Sequence, residues 1–146
     1  MQSANKNLKK KIAFYGLLIA LAFVLSYIES LIPVFVAIPG AKLGLTNLVV
    51  LIALERFGKK DAFIINMIRI LLVGFTFGNT FSLLYSFAGG IFSFLIMILL
   101  KKTKRFSLVG ISVGGGVGHN IGQIIVAAFV LETGALIYYL PLLLAI

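Results

Sequence analysis

Long apolar runs punctuated by clusters of positive charge constrain this chain more than any other feature. Of its 146 residues, 61% are hydrophobic and 12% are charged. A soluble domain of that size needs far more polar surface to cover its core. A helix that crosses the hydrocarbon of a bilayer takes about 20 apolar residues, so six of them fill roughly 120 positions and leave only short loops. The sequence therefore predicts an all-α fold, an integral membrane bundle of about six transmembrane helices. Residues 1–146 form a single transmembrane domain with no room for a soluble one.

The net charge of +9 and pI near 10.1 would suit a nucleic-acid partner, but the placement of the charge argues otherwise. Lys6, Lys9, Lys10 and Lys11 precede the first apolar run; Arg56, Lys59 and Lys60 follow the second; Lys101, Lys102, Lys104 and Arg105 follow the fourth. In a six-span chain these segments share one side. That is the positive-inside pattern, which predicts a multi-pass protein of a bacterial cell membrane with a cytoplasmic N-terminus and no nucleic-acid partner. The lysines before an apolar run resemble a signal peptide, but the run from Ile12 to Ile28 is long and no small-residue cleavage site follows it. It reads as a retained first span. Cysteine is absent, which removes disulfides, thiolate nucleophiles and cysteine metal sites.

Hydropathy places the spans at about 12–28, 42–54, 61–77, 81–100, 108–131 and 135–146. Between the first two, the apolar stretch Leu31–Gly40 is broken by Pro33 and Pro39 and reads as an outer loop or re-entrant segment. Span three opens with Asp61 near its positive dipole end. Glu29, Gly78–Asn79 and Glu132–Gly134 fall at outer turns. Span six is too short to cross, so the sequence is expected to stop before that helix's natural end. No internal repeat is visible.

The clearest pattern lies in span five, where Gly110, Gly114, Gly118 and Gly122 recur every fourth residue beside Gly115 and Gly116. Such a stripe lets another helix approach closely. At 100° per residue, His119, Asn120 and Gln123 are expected on roughly the opposite side. In hydrocarbon those groups must face protein or a water-filled cavity, so they either join helices through hydrogen bonds or line a solute pocket. His119 has no nearby acidic partner in the sequence, which argues against a metal site. The run Gly115-Gly116-Val117-Gly118 lacks the ending of a phosphate loop and follows no strand.

Arg69 falls near mid-membrane in span three, with Asn66 three residues earlier on the same face. An intramembrane arginine snorkels to the surface, bonds helix-end carbonyls, or anchors an anionic ligand. Lys42, on the outer side, is an ordinary interfacial lysine or an attractor for an anionic substrate. In span four, Ser82, Ser86, Gly89, Gly90 and Ser93 form a further close-packing face. Tyr85, Tyr138 and Tyr139 near outer ends are belt residues or stack on a ligand. Ala13, Gly16 and Ala20 make a small-residue stripe in span one that packs within the chain or docks a membrane partner.

Catalysis has little to work with. The acids are Glu29, Glu55, Asp61 and Glu132, each predicted at a span end. They form no aspartate-rich cluster able to hold magnesium for diphosphate chemistry. No nucleotide-binding motif is present, so active transport would draw its energy from another subunit or an ion gradient. No enzyme activity, cofactor or metal is expected.

Four segments carry a family resemblance: Pro39-Gly40-Ala41-Lys42-Leu43-Gly44-Leu45-Thr46-Asn47, Tyr85-Ser86-Phe87-Ala88-Gly89-Gly90, His119-Asn120-Ile121-Gly122-Gln123 and Tyr139-Leu140-Pro141-Leu142-Leu143. They resemble the Gx transporter family, also named heptaprenyl diphosphate synthase component I. That family is similar to the substrate-binding S components of energy-coupling-factor transporters. The resemblance implies a six-helix S-component fold with an outward pocket. It also implies a partner, a transmembrane coupling protein carrying two ATPase subunits, which Ala13, Gly16 and Ala20 would contact. The synthase name finds no support in the residues, because the acidic clusters of prenyl-diphosphate chemistry are missing.

Two functions follow as expectations. The leading one is a membrane-embedded substrate-binding subunit for uptake of a small organic solute. His119, Asn120 and Gln123 would bond that solute, with Asn47, Asn79 and Tyr85 as further candidates and Arg69 as the charge-compensating residue. The alternative is a non-transporting membrane accessory subunit of prenyl-quinone synthesis or of a membrane redox assembly.

Overall fold

A computed structural model describes residues 1–31, 44–78 and 80–131. Over these the fold is all-α: five helices and, among the described residues, no strand. They are α1 (Gln2–Leu31), α2 (Leu45–Phe57), α3 (Lys59–Phe77), α4 (Thr80–Thr103) and α5 (Leu108–Leu131). The expected Pro33–Pro39 segment, Lys42, Asn79, Glu132, Tyr138, Tyr139 and the sixth span at 135–146 lie outside the described residues.

Helix α1 runs about 45 Å at 1.5 Å per residue. Its first 12 residues are exposed, so most of that stretch projects beyond the bundle. Hydropathy reads the apolar slab rather than the helix, and lysine is a good helix former, which is why α1 starts ten residues before the expected span. It buries Leu18, Ala22, Ser26 and Glu29, spacings of four, four and three that trace one stripe.

Helix α2 is set off by glycines in the left-handed region, Gly44 at φ 100° and Gly58 at φ 88°, a conformation that glycine alone adopts cheaply. These hinges shift the helix three residues past the expected 42–54 at both ends. Thr46, Asn47, Val49, Val50, Leu51, Ala53 and Leu54 are all buried, so α2 is covered nearly all round. It packs against α1, α3 and α5 and carries the middle of the core, where Leu51 meets Ala22, Ile65, Phe94 and Met97 in one cluster.

Helices α4 and α5 form the most intimate pair. A Cβ on Gly89 would lie 2.7 Å from the His119 carbonyl oxygen, and one on Gly122 would lie 2.8 Å from the Ala88 carbonyl oxygen. Here the two backbones touch, and only glycine fits. Gly114 and Gly118 face the flexible side chains of Leu100 and Ile96 instead. The expected close-packing faces of spans four and five are therefore packed against each other.

The three basic segments converge on one end of the bundle. Lys11 Nζ lies 3.1 Å from Asp61 Oδ2, joining α1 to α3. Lys101 Nζ lies 3.7 Å from Glu55 Oε1, joining α4 to α2. Phe57 packs edge-on against Phe14 and Tyr15, and Arg56 sits over the Phe14 ring. At the other end of α1, Phe23 and Tyr27 pack on Phe77 of α3. Helices α1 and α3 thus run parallel, with α2 antiparallel to both.

Much of the exterior is apolar: Leu17, Leu21 and Val24 of α1, Phe75 of α3, Leu95 and Leu99 of α4 and Val113 of α5 are exposed. Two helical stretches, Gln2–Leu31 and Ser82–Thr103, are long and apolar enough to cross a membrane. One contact departs from strict alternation of full-length spans. The start of α2 meets Ser112, early in α5, although alternation would hold those ends at opposite faces. At 13 residues, α2 rises only about 20 Å, so its start need not reach a far face.

Candidate functional site: two buried polar junctions

The first junction lies where α1, α2 and α5 meet. The backbone N–H groups at the start of α2 have no intrahelical acceptor, and α2 brings no capping side chain of its own. Glu29 of α1, 6% exposed, supplies the acceptor. Its Oε1 accepts from the N–H of Gly44 at 2.8 Å and of Leu45 at 2.9 Å. Its Oε2 accepts from Thr46 Oγ1 at 2.8 Å. Ser26 Oγ lies 3.1 Å from Thr46 Oγ1; the threonine proton already points at Glu29, so the serine donates. Ser112 Oγ of α5 donates to the Gly44 carbonyl at 2.6 Å. A carboxylate at a helix N-terminus is favoured by both the dipole and the charge-assisted bonds. The junction is a closed set in which these donors and acceptors match.

The second junction lies between α3 and α4. Arg69, expected near mid-membrane with Asn66 on its face, is 4% exposed. Its Nη2 donates to Asn66 Oδ1 at 2.6 Å, and Asn66 Nδ2 donates to the Gly90 carbonyl at 3.2 Å. Gly90 allows this, because a Cβ there would strike the Ile70 side chain and approach Asn66. Arg69 Nε is buried without a hydrogen-bond partner, as is Ser93 Oγ one turn along α4. Arg69 neither snorkels nor reaches a helix end. Glu29, whose charge acts on it through space, is bound to the start of α2.

Of the described residues expected at a ligand site, all are at least half-buried. His119 and Asn120 are buried, and Gln123 and Tyr85 are half-buried. His119 does not sit across the helix from the glycine stripe: it packs on Gly89 of α4, beside the stripe. The angle explains this, since residue 119 lies only about 60° from residue 122 on a regular helix, whereas residue 120 lies about 160° from it. The Gly89–Gly90 step thus has His119 on one flank and Asn66 on the other. Asn47 of α2 is buried, its Nδ2 3.0 Å from where a Gly115 Cβ would stand. Asn79 is outside the described residues. Ala13, Gly16 and Ala20 lie on the exposed side of α1, and a Cβ on Gly16 would meet nothing within 4 Å.

Sequence reasoning missed the first junction. It placed Glu29 at an outer turn and gave Ser26, Thr46 and Ser112 no role. Ser26 and Glu29, three apart at the end of an apolar helix, were the available signal; their partners 15 to 20 positions away were not.

This is an all-α bundle with an apolar core, two buried polar junctions and many exposed apolar side chains, and two of its helices are long and apolar enough to cross a membrane. The chain belongs to the family described as heptaprenyl diphosphate synthase component I, whose model matches residues 18–146. The match is to that family and does not extend to the S components of energy-coupling-factor transporters. No curated protein and no solved structure matches the chain.

Proposed function

We propose that this chain is a non-catalytic membrane component that works beside a separate catalytic subunit, as an accessory of prenyl-quinone synthesis. The observation that carries the reading is the family, whose description names one component of a synthase. The fate of the acids supports the non-catalytic part. Glu29 caps α2, Glu55 pairs with Lys101 and Asp61 pairs with Lys11. In this reading the basic end faces the cytoplasm, where a soluble synthase subunit would meet it and the apolar exterior would hold a growing prenyl chain at the bilayer.

The test is to assay prenyl diphosphate synthesis by the catalytic synthase subunit of the same cell, with and without this chain, in membranes. The chain alone makes no product; together, activity moves to the membrane fraction and the long-chain product appears. Elongation by this chain alone, or unchanged product and partition in its presence, overturns the reading.

A second reading is uptake of a small organic solute beside a coupling protein with two ATPases. The buried Arg69 favours it, because a buried cation with an unused donor suits an anionic solute. Solute accumulation by cells carrying this chain and a coupling module, absent without either, would select it.

A further inference from the structure

The geometry points to Arg69 as a buried receptor for one oxyanion group, a carboxylate or a phosphate, held between α3 and α4 at the level of the Gly89–Gly90 step. The inference requires only that the bundle be membrane-embedded; it holds for an accessory subunit and an uptake subunit alike.

Three observations carry it. Arg69 is 4% exposed, and a guanidinium cannot shed its charge, so burial demands compensation. The compensation present is incomplete. Nη2 bonds a neutral amide oxygen, Asn66 Oδ1, and the Nε–H has no acceptor. The anion acting on Arg69 is Glu29, but both Glu29 oxygens are engaged by Gly44, Leu45 and Thr46.

The geometry of the unused donor selects the ligand. Nε–H and one Nη2–H of a guanidinium point the same way, spaced to meet two oxygens of a carboxylate or phosphate. Asn66 holds the plane of the group through Nη2 and is itself held by Gly90. The fork is therefore oriented before any ligand arrives, as a recognition site requires. Ser93 Oγ, also buried without a partner, lies one turn from Gly90 on α4. A purely structural arginine in hydrocarbon is expected to fill its donors with carbonyls or a carboxylate; this one leaves its Nε–H without an acceptor.

The native protein itself provides the test, because the chain has three arginines, Arg56, Arg69 and Arg105. Protein labelled with 15N-arginine in phospholipid-free detergent gives one Nε–Hε signal from each, and Arg69→Lys assigns the buried one. Octanoate, phenyl phosphate and lysophosphatidylglycerol are titrated separately, to divide free carboxylate, free phosphate and lipid headgroup. The Arg69 signal shifts saturably with at least one probe, and Arg69→Lys weakens that probe's stabilisation of the fold about tenfold or more, since it loses the two-point fork. Signals that move only for Arg56 and Arg105, or an Arg69 signal unmoved by every probe, overturn the inference. Failure here with a positive synthase-partner assay removes the oxyanion site and leaves the accessory reading standing; the reverse result does the opposite.

Discussion

The two buried polar junctions differ in one respect that separates structure from function. Around Glu29 the donors and acceptors close on each other across three helices. Around Arg69 a charge of equal size is buried as deeply, yet its Nε–H is left unmatched. Buried polar groups are normally satisfied, and an exception in a native fold calls for a cause. The Glu29 junction explains itself as the cap that lets a short helix begin inside an apolar bundle. The Arg69 junction does not, and that asymmetry marks it as the place for a ligand.

Substitutions that break the comparison rank by how much they leave unsatisfied. The largest loss is expected for Glu29→Ala, which strands two backbone N–H groups and the Thr46 hydroxyl. The cost is about 3 kcal/mol or more, read as a lowered thermal midpoint in detergent, while Glu29→Gln keeps one oxygen and loses less. Next come the backbone contacts. Gly44→Ala places a Cβ 2.7 Å from the Ser112 carbonyl oxygen at a left-handed φ. Gly89→Ala and Gly122→Ala wedge α4 from α5. Each is expected to cost about 1–3 kcal/mol in the same melt. Gly114→Ala, facing the movable Leu100 tip, costs less than these.

Arg69→Gln sharpens the comparison from the other side. It removes a buried charge whose desolvation opposes folding, so stability is expected to change by no more than about 1 kcal/mol, while the oxyanion response disappears. The smallest effects belong to the periphery. Asp61→Asn breaks an ion pair whose side chains are 47% and 22% exposed, worth less than about 1 kcal/mol. Gly16→Ala meets empty space and is expected to stay within about 0.5 kcal/mol. If Gly16→Ala nevertheless lowers the synthase subunit's membrane partition, the exposed stripe on α1 serves docking.

What the sequence disclosed, and what it concealed, divides along the same line. Hydropathy located all five described helices, because apolar length is a local property. For α5 the expected 108–131 coincides with the observed limits. The glycine positions of α4 and α5 announced a close approach, and the structure sets Gly89 and Gly122 against backbone. That Arg69 and Asn66 share a face followed from helical spacing, while the sequence left open whether Arg69 snorkels or stays inside. Glu29 lies at a span end as expected, but its capping role went unread because it is set by the start of α2, not by its own neighbours. His119 was put on the wrong side of α5 because a stripe four residues apart drifts around the helix, bringing residue 119 beside it.

The most direct test of this division of roles is to melt Glu29→Gln and Arg69→Gln side by side in one detergent, with and without a saturating oxyanion probe. The account predicts that Glu29→Gln melts well below the parent and still gains stability from the probe. Arg69→Gln is expected to melt near the parent and gain nothing. An Arg69→Gln protein destabilised as much as Glu29→Gln, or one that still responds to the probe, would contradict it.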